Sequence, residues 1–176
     1  ETKMKKSRYI LSVSLIFLFA LVNINCNESE QAKTAVESDL YIGWAIEDIT
    51  PEGPVSLQGQ YYERISEYVQ SPLMATAMAI ESVAGGQNEQ AIMIALDIVS
   101  CRDGLQDSLR SYMKGKIPGF DLKKLFLNAT HTHSSFDTGL KGGYREMLLD
   151  KLSRVAVSAW ESRKPGGISE ELRYAV

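Results

Sequence analysis

Histidine occurs only twice in these 176 residues, and cysteine only twice. All imidazole chemistry is therefore confined to two positions, and no disulfide framework is possible. Aromatic residues make up 9% of the chain, which leaves no surplus for stacking on bases. Basic residues form no block beyond the extreme N-terminus, and the formal net charge is −3. Nucleic-acid binding thus lacks an electrostatic footprint. Repeats and low-complexity tracts are absent as well. What remains is an ordinary globular composition, 44% hydrophobic and 23% charged, with room for one real core.

The first 26 residues read as a leader. Lys5, Lys6 and Arg8 form a positive start, and Tyr9 to Val22 is an apolar stretch broken by Ser12 and Ser14. It is short for a membrane span and suits a signal peptide. Met4 is the expected biological start. Cys26 follows Leu21-Val22-Asn23-Ile24-Asn25 and precedes a polar run. That junction resembles a bacterial lipoprotein box, with Asn25 where a small residue is usual. Cys26 is then the lipidation site; signal cleavage nearby or an uncleaved anchor are the other readings. The expected organisation is a signal peptide or lipoprotein leader over 1–26, a flexible tether over 27–38 and a folded domain over 39–176. The expected location is exported: the cell envelope by a lipid anchor, otherwise periplasmic or secreted. With the leader removed only Cys101 remains, so the domain must rely on core packing and on any bound metal.

Hydrophobic patterning predicts an α/β domain. Leu40 to Ile46 reads as a strand, and Asp48-Ile49-Thr50-Pro51-Glu52-Gly53-Pro54 breaks it with turn chemistry. Tyr61 to Val69 fits either a short helix or an ordered loop. Leu73 to Ser82 and Ala91 to Leu96 read as a hairpin around Gly85-Gly86-Gln87-Asn88. Gly104 to Lys116 carries Leu105, Leu109, Tyr112 and Met113 at helical spacing, and Pro118-Gly119 stops it. Leu122 to Ala129 is the next strand. Strand, helix and strand make a βαβ unit, which predicts parallel pairing. Tyr144 to Arg163 is a long amphipathic helix. Trp160, Met74 and Met78 read as core. The fold class is a mixed sheet with a βαβ unit and helices packed on it.

Both histidines stand in one phrase, Asn128-Ala129-Thr130-His131-Thr132-His133-Ser134-Ser135, directly after a strand. Ligands of open α/β sheets bind beyond the carboxyl ends of parallel strands. Asp97 ends the preceding strand, so Asp97, His131 and His133 are expected on one rim. A carboxylate and two imidazoles are the ingredients of a zinc site or of a carboxylate-oriented histidine. A surface or hydrogen-bonded histidine, and an Asp97 that merely caps the next segment, are the competing readings. Cys101 near the rim invites a Cys–His nucleophile; a lone packed cysteine is the commoner role.

Several phrases combine into a resemblance. They are Gly43-Trp44-Ala45-Ile46-Glu47-Asp48-Ile49-Thr50-Pro51, Gln58-Gly59, Pro72-Leu73, Leu96-Asp97 and Asn128-Ala129-Thr130-His131-Thr132-His133-Ser134. In this order residues 40–165 resemble the N-terminal catalytic domain of neutral/alkaline non-lysosomal ceramidases. The resemblance implies a zinc-dependent amidohydrolase that cleaves ceramide or a related lipid amide. It implies His131 as a zinc ligand and His133 as the active-site imidazole; the rim argument adds Asp97 beside them as a catalytic candidate. Ser135-Phe136 departs from the Gly-Pro that usually follows, and no third histidine exists to complete the family's ligand set. The chain is therefore expected to be an N-terminal part of such an enzyme, inactive or nearly so alone. The implied partners are a lipid amide substrate and a membrane reached through the leader or lipid. The alternative is an exported, non-catalytic α/β binding module that keeps the scaffold.

Overall fold

The computed structural model describes residues 39–102, 104–139 and 144–172. The leader, Cys26, the tether, Gly142 and Gly143 lie outside the described residues. Five strands form one sheet: β1 (Asp39–Asp48), β2 (Met74–Ala84), β3 (Gln87–Leu96), β4 (Leu125–Ala129) and β5 (Lys164–Pro165). Among the described residues two α-helices accompany it, α1 (Leu105–Tyr112) and α2 (Tyr144–Glu161). The strand order is β4-β3-β2-β1-β5. β1–β2 and β2–β3 pair antiparallel, and β3–β4 pair parallel with Leu96 opposite Ala129. The mixed sheet and the β3–α1–β4 unit are as the patterning predicts. Among the described residues no helix is long and apolar enough to cross a membrane.

Small residues make the helix-bearing face of the sheet. Ala75, Ala77 and Ala79 alternate along β2, and Gly43 and Ala45 pair beside them on β1. Period-two alternation puts all of them on one face. Without bulky side chains there, the α2 backbone comes close: a Cβ on Gly43 would stand 1.9 Å from the Ala159 carbonyl oxygen. Ile92, Ile94, Leu96 and Leu125 supply the rest of the sheet's share of the core. Leu105, Leu109 and Met113 meet them from α1 and its cap, and Leu148, Leu152, Val155 and Ala156 from α2. Burying each such side chain contributes roughly 1.5–3 kcal/mol before chain entropy is set against it. Gly104, at φ 66°, starts α1 and Gly115, at φ 77°, follows its end, so the helix is shorter than its apolar spacing suggests.

The opposite face is apolar and open. Trp44, Met78, Met93 and Phe126 are register neighbours straight across four strands. Trp44 is 56% exposed, Phe126 45% and Met93 36%. Met78, expected in the core, belongs to this half-buried row, because its neighbours Ala77 and Ala79 take the helix side. Trp160 packs at the core's margin, edge-on to Phe120 at 5.0 Å, with the Arg163 guanidinium 3.3 Å over its ring.

The free edge of β4 is covered by side chains of α1. Gln106 Oε1 accepts from Leu127 N–H at 2.9 Å, and Arg110 Nη2 donates to Leu125 O at 2.9 Å. Residues 61–69 form neither helix nor strand. They are an irregular loop held by a Ser56–Ile65 bridge and by Ser66 N–H donating to Val55 O at 2.8 Å. Tyr61, Tyr62, Tyr68 and Val69 are exposed along it.

Candidate metal centre at the carboxyl ends of β3 and β4

Because β3 and β4 are parallel and end together, the segments that follow them leave from the same rim. Their pairing continues past the strands. Thr130 N–H donates to Leu96 O at 2.9 Å, and His131 N–H donates to Ile98 O at 3.0 Å. His131 then adopts φ 66°, alone among the described non-glycine residues in having a positive φ. Histidine enters this left-handed region more readily than most residues, but it costs on the order of 1–3 kcal/mol. The turn reverses the chain so that both rings face one spot.

Each imidazole is fixed from behind. His131 Nδ1 lies 2.8 Å from Val99 O, and His133 Nδ1 lies 2.8 Å from Gly59 O. A carbonyl oxygen only accepts, so each Nδ1 carries the hydrogen and each Nε2 presents a lone pair. The two Nε2 atoms stand 3.4 Å apart, with the rings edge to face at 78°. Two lone pairs aimed at each other repel; a cation or a proton at that point removes the repulsion. A backbone carbonyl behind Nδ1 is also the usual partner that orients a metal-binding histidine. His131 Nε2 is therefore available to a zinc ion, with His133 Nε2 standing beside it.

A second loop closes the site. Gln58 N–H donates to Ser135 O at 2.9 Å, Leu57 bridges Phe136, and Gln60 Nε2 donates to His133 O at 3.1 Å. Ser135 is fully buried, its Oγ accepting from Val99 N–H at 3.2 Å and donating to Thr132 O at 3.3 Å. Its hydroxyl thus ties the end of β3 to the histidine phrase. Gln58 and Gly59, a phrase already part of the resemblance, join the candidate site here; local periodicity does not place them, because their partners lie more than 70 residues away.

Asp97 sits at the same rim but grips other groups. Its Oδ2 accepts from Met74 N–H at 3.0 Å and its Oδ1 from Thr130 Oγ1–H at 3.2 Å. Neither oxygen bonds an imidazole. Among the described residues no group of three or more His, Cys, Asp or Glu side chains is arranged to hold a metal. Cys101 is half-buried, and burial pushes its thiol above its ordinary value, away from the thiolate a nucleophile needs.

A cavity of about 760 Å³ opens beside the phrase. Asp97, Thr132, Ser134 and Phe136 line it together with Pro51, Val55, Leu73 and the 64–70 stretch. Neither His131 nor His133 lines it; the lining residues Thr132, Ser134 and Phe136 alternate with them along the phrase.

Comparison with known proteins adds a fold. No protein-family model matches the chain, and no curated protein sequence matches it. Solved structures do. The chain is similar to neutral ceramidase from Pseudomonas aeruginosa, with a TM-score of 0.64 and 20% identity over 73% of this chain. It is likewise similar to a ceramidase complexed with C2, with a TM-score of 0.59 and 20% identity over the same share. It spans 22% of the length of each of those chains. The α/β fold described above, sheet and helices together, is therefore ceramidase-like, and this chain corresponds to part of that larger structure.

Proposed function

We propose that this chain carries part of the active centre of a zinc-dependent hydrolase that cleaves a lipid amide of the ceramide kind. One observation carries the reading: two imidazoles, each with Nδ1–H held by a backbone carbonyl, converge through Nε2 at 3.4 Å. That arrangement offers nitrogen lone pairs and no competing donor, as zinc requires. The ceramidase-like fold supports the substrate class.

His131 would hold the metal, since its ring is fixed by both a constrained backbone and the Val99 carbonyl. The chemistry zinc supplies when bound is polarisation of the amide carbonyl and activation of water near pH 7. His133 is the acid–base group. Its Nε2 takes a proton from the attacking water and returns it to the departing amine nitrogen, so that amide and water become carboxylic acid and amine. Asp97 braces the rim by tying Thr130 to Met74. One nitrogen leaves zinc far short of a tetrahedral set, so further ligands must come from outside the described residues, and the isolated chain is expected to turn over poorly.

The absence of a third ligand among the described residues favours one other reading, a non-catalytic binding module built on the same scaffold. The leader sequence supports export, with Cys26 carrying a lipid at the cell envelope. Zinc titration followed by isothermal calorimetry separates the two readings. Saturable binding that His131→Ala removes supports the hydrolase. A chain that takes up no zinc sinks that reading and leaves the module.

A further inference from the structure

We propose that Gly59 is the positioning residue for His133, holding its ring in the Nδ1–H form by accepting a hydrogen bond and by lacking a side chain. The inference rests on the reading of His133 as the acid–base group, and it concerns how that group is aimed. His133 is exposed, and the contact on its own segment, the edge of the His131 ring, touches Nε2 and leaves Nδ1 to another loop. The fixing comes from a loop 74 residues earlier. The Gly59 carbonyl lies 2.8 Å from His133 Nδ1. A free imidazole in water exchanges between two tautomers; a carbonyl on one nitrogen selects the form with hydrogen on that nitrogen. The selected form leaves Nε2 unprotonated and pointed at His131.

The same residue must also be glycine. Its φ is 82°, a left-handed conformation that side chains rarely adopt. A Cβ there would stand 2.7 Å from His133 Nδ1, 3.0 Å from Cε1 and 3.1 Å from Cγ. These are ring atoms, so the ring would have to leave its carbonyl. The loop itself cannot retreat easily. Gln58 N–H is bonded to Ser135 O, and Gln60 Nε2 to His133 O, on either side of Gly59. Gly59 is therefore clamped against the ring it orients.

The test is the tautomeric state of each histidine, read from long-range proton–nitrogen NMR spectra of the ¹⁵N-labelled chain. The comparison is made on the neutral form of each ring, which the same nitrogen shifts identify. In the unmodified chain both residues are expected as the Nδ1–H tautomer. In Gly59→Ala, His133 loses that preference, while His131, held by Val99, keeps it and reports that the rim is intact. Gly59→Asn is the second variant. Asparagine tolerates left-handed backbone yet brings the same Cβ, so it is expected to release His133 as well. If His133 is Nε2–H in the unmodified chain, or stays Nδ1–H in both variants, the proposal fails. Release by Ala but not by Asn would also overturn it, because backbone strain and not contact would then be the cause. Adding zinc to the unmodified sample keeps the two readings apart. Unchanged Nε2 resonances would defeat the zinc hydrolase while leaving the tautomer result standing.

Discussion

His131 is joined to the end of β3 twice, by its backbone N–H to Ile98 O and by its ring Nδ1 to Val99 O. Backbone and side chain thus share one anchor, and the ring cannot turn without breaking the rim. Such outer partners typically affect metal affinity about 10–100-fold. We expect His131→Ala to lower zinc affinity by more than that range, because it removes the ligand itself. His133→Ala is expected to weaken zinc binding less while abolishing amide turnover in any assembly that completes the ligand set. Calorimetry and a fluorescent ceramide assay read the two effects separately.

Asp97 is expected to matter for stability more than for metal. Asp97→Ala leaves the part-buried Met74 N–H without its acceptor, at a cost of about 1 kcal/mol, while the exposed Thr130 hydroxyl turns to water. Urea unfolding should show a lower midpoint for Asp97→Ala, with zinc affinity changed less than by His131→Ala. A loss of zinc equal to that of His131→Ala would instead make the carboxylate a ligand.

Gly43 is where sheet and helix come closest. With 1.9 Å between a Cβ and the Ala159 carbonyl oxygen, Gly43→Ala must push α2 away from β1. Overpacking of this kind costs about 1–3 kcal/mol, and backbone on the far side raises it toward the upper end. Thermal unfolding checks the loss; Gly53→Ala, where a Cβ meets nothing, is the control.

Acid should weaken the sheet through Glu81. Its carboxyl lies below the ordinary 4.5, first because the Asn88 side chain donates to it and also because of the Arg163 guanidinium, with burial opposing. A depressed folded value means the unfolded chain takes up the proton first. The stabilisation is complete above the ordinary value and is lost as pH falls through the folded one. Stability measured by urea unfolding should therefore decline below about pH 5, and Glu81→Gln should flatten that slope.

The uncovered sheet face gives a spectroscopic prediction. Trp44, Met93 and Phe126 form an exposed apolar row of the kind that binds hydrophobic dyes. Phe126→Gln with Met93→Gln should lower dye fluorescence markedly and shift the thermal midpoint little, since neither side chain is buried.

Much of this architecture is legible in local patterning. The β2–β3 hairpin announces itself through Gly85-Gly86, and the β3–α1–β4 unit through a short apolar run, an amphipathic stretch and a second apolar run. Parallel pairing then brings Asp97 and the histidine phrase to one rim, as the topology requires. The finer placement is not local. Asp97 spends both oxygens on Met74 and Thr130, donors that the pairing of β2, β3 and β4 brings beside it and that no local pattern announces. Gly59 meets His133 only after the 57–60 loop folds over the rim. Tyr61 to Val69 has no helical or strand periodicity because its backbone is held by bridges to Ser56 and Val55, with its aromatic side chains turned outward. The alternation of alanine and methionine in β2 marks a strand but not which set faces the helices; Gly43 and the α2 backbone decide that.

The side chains of Gln106 and Arg110 lie where another strand would bond to β4, taking the Leu127 amide and the Leu125 carbonyl. A foreign peptide seeking that border would first have to evict a helix-borne amide and a guanidinium, so lateral recruitment into fibres is discouraged on this flank by the molecule's own helix.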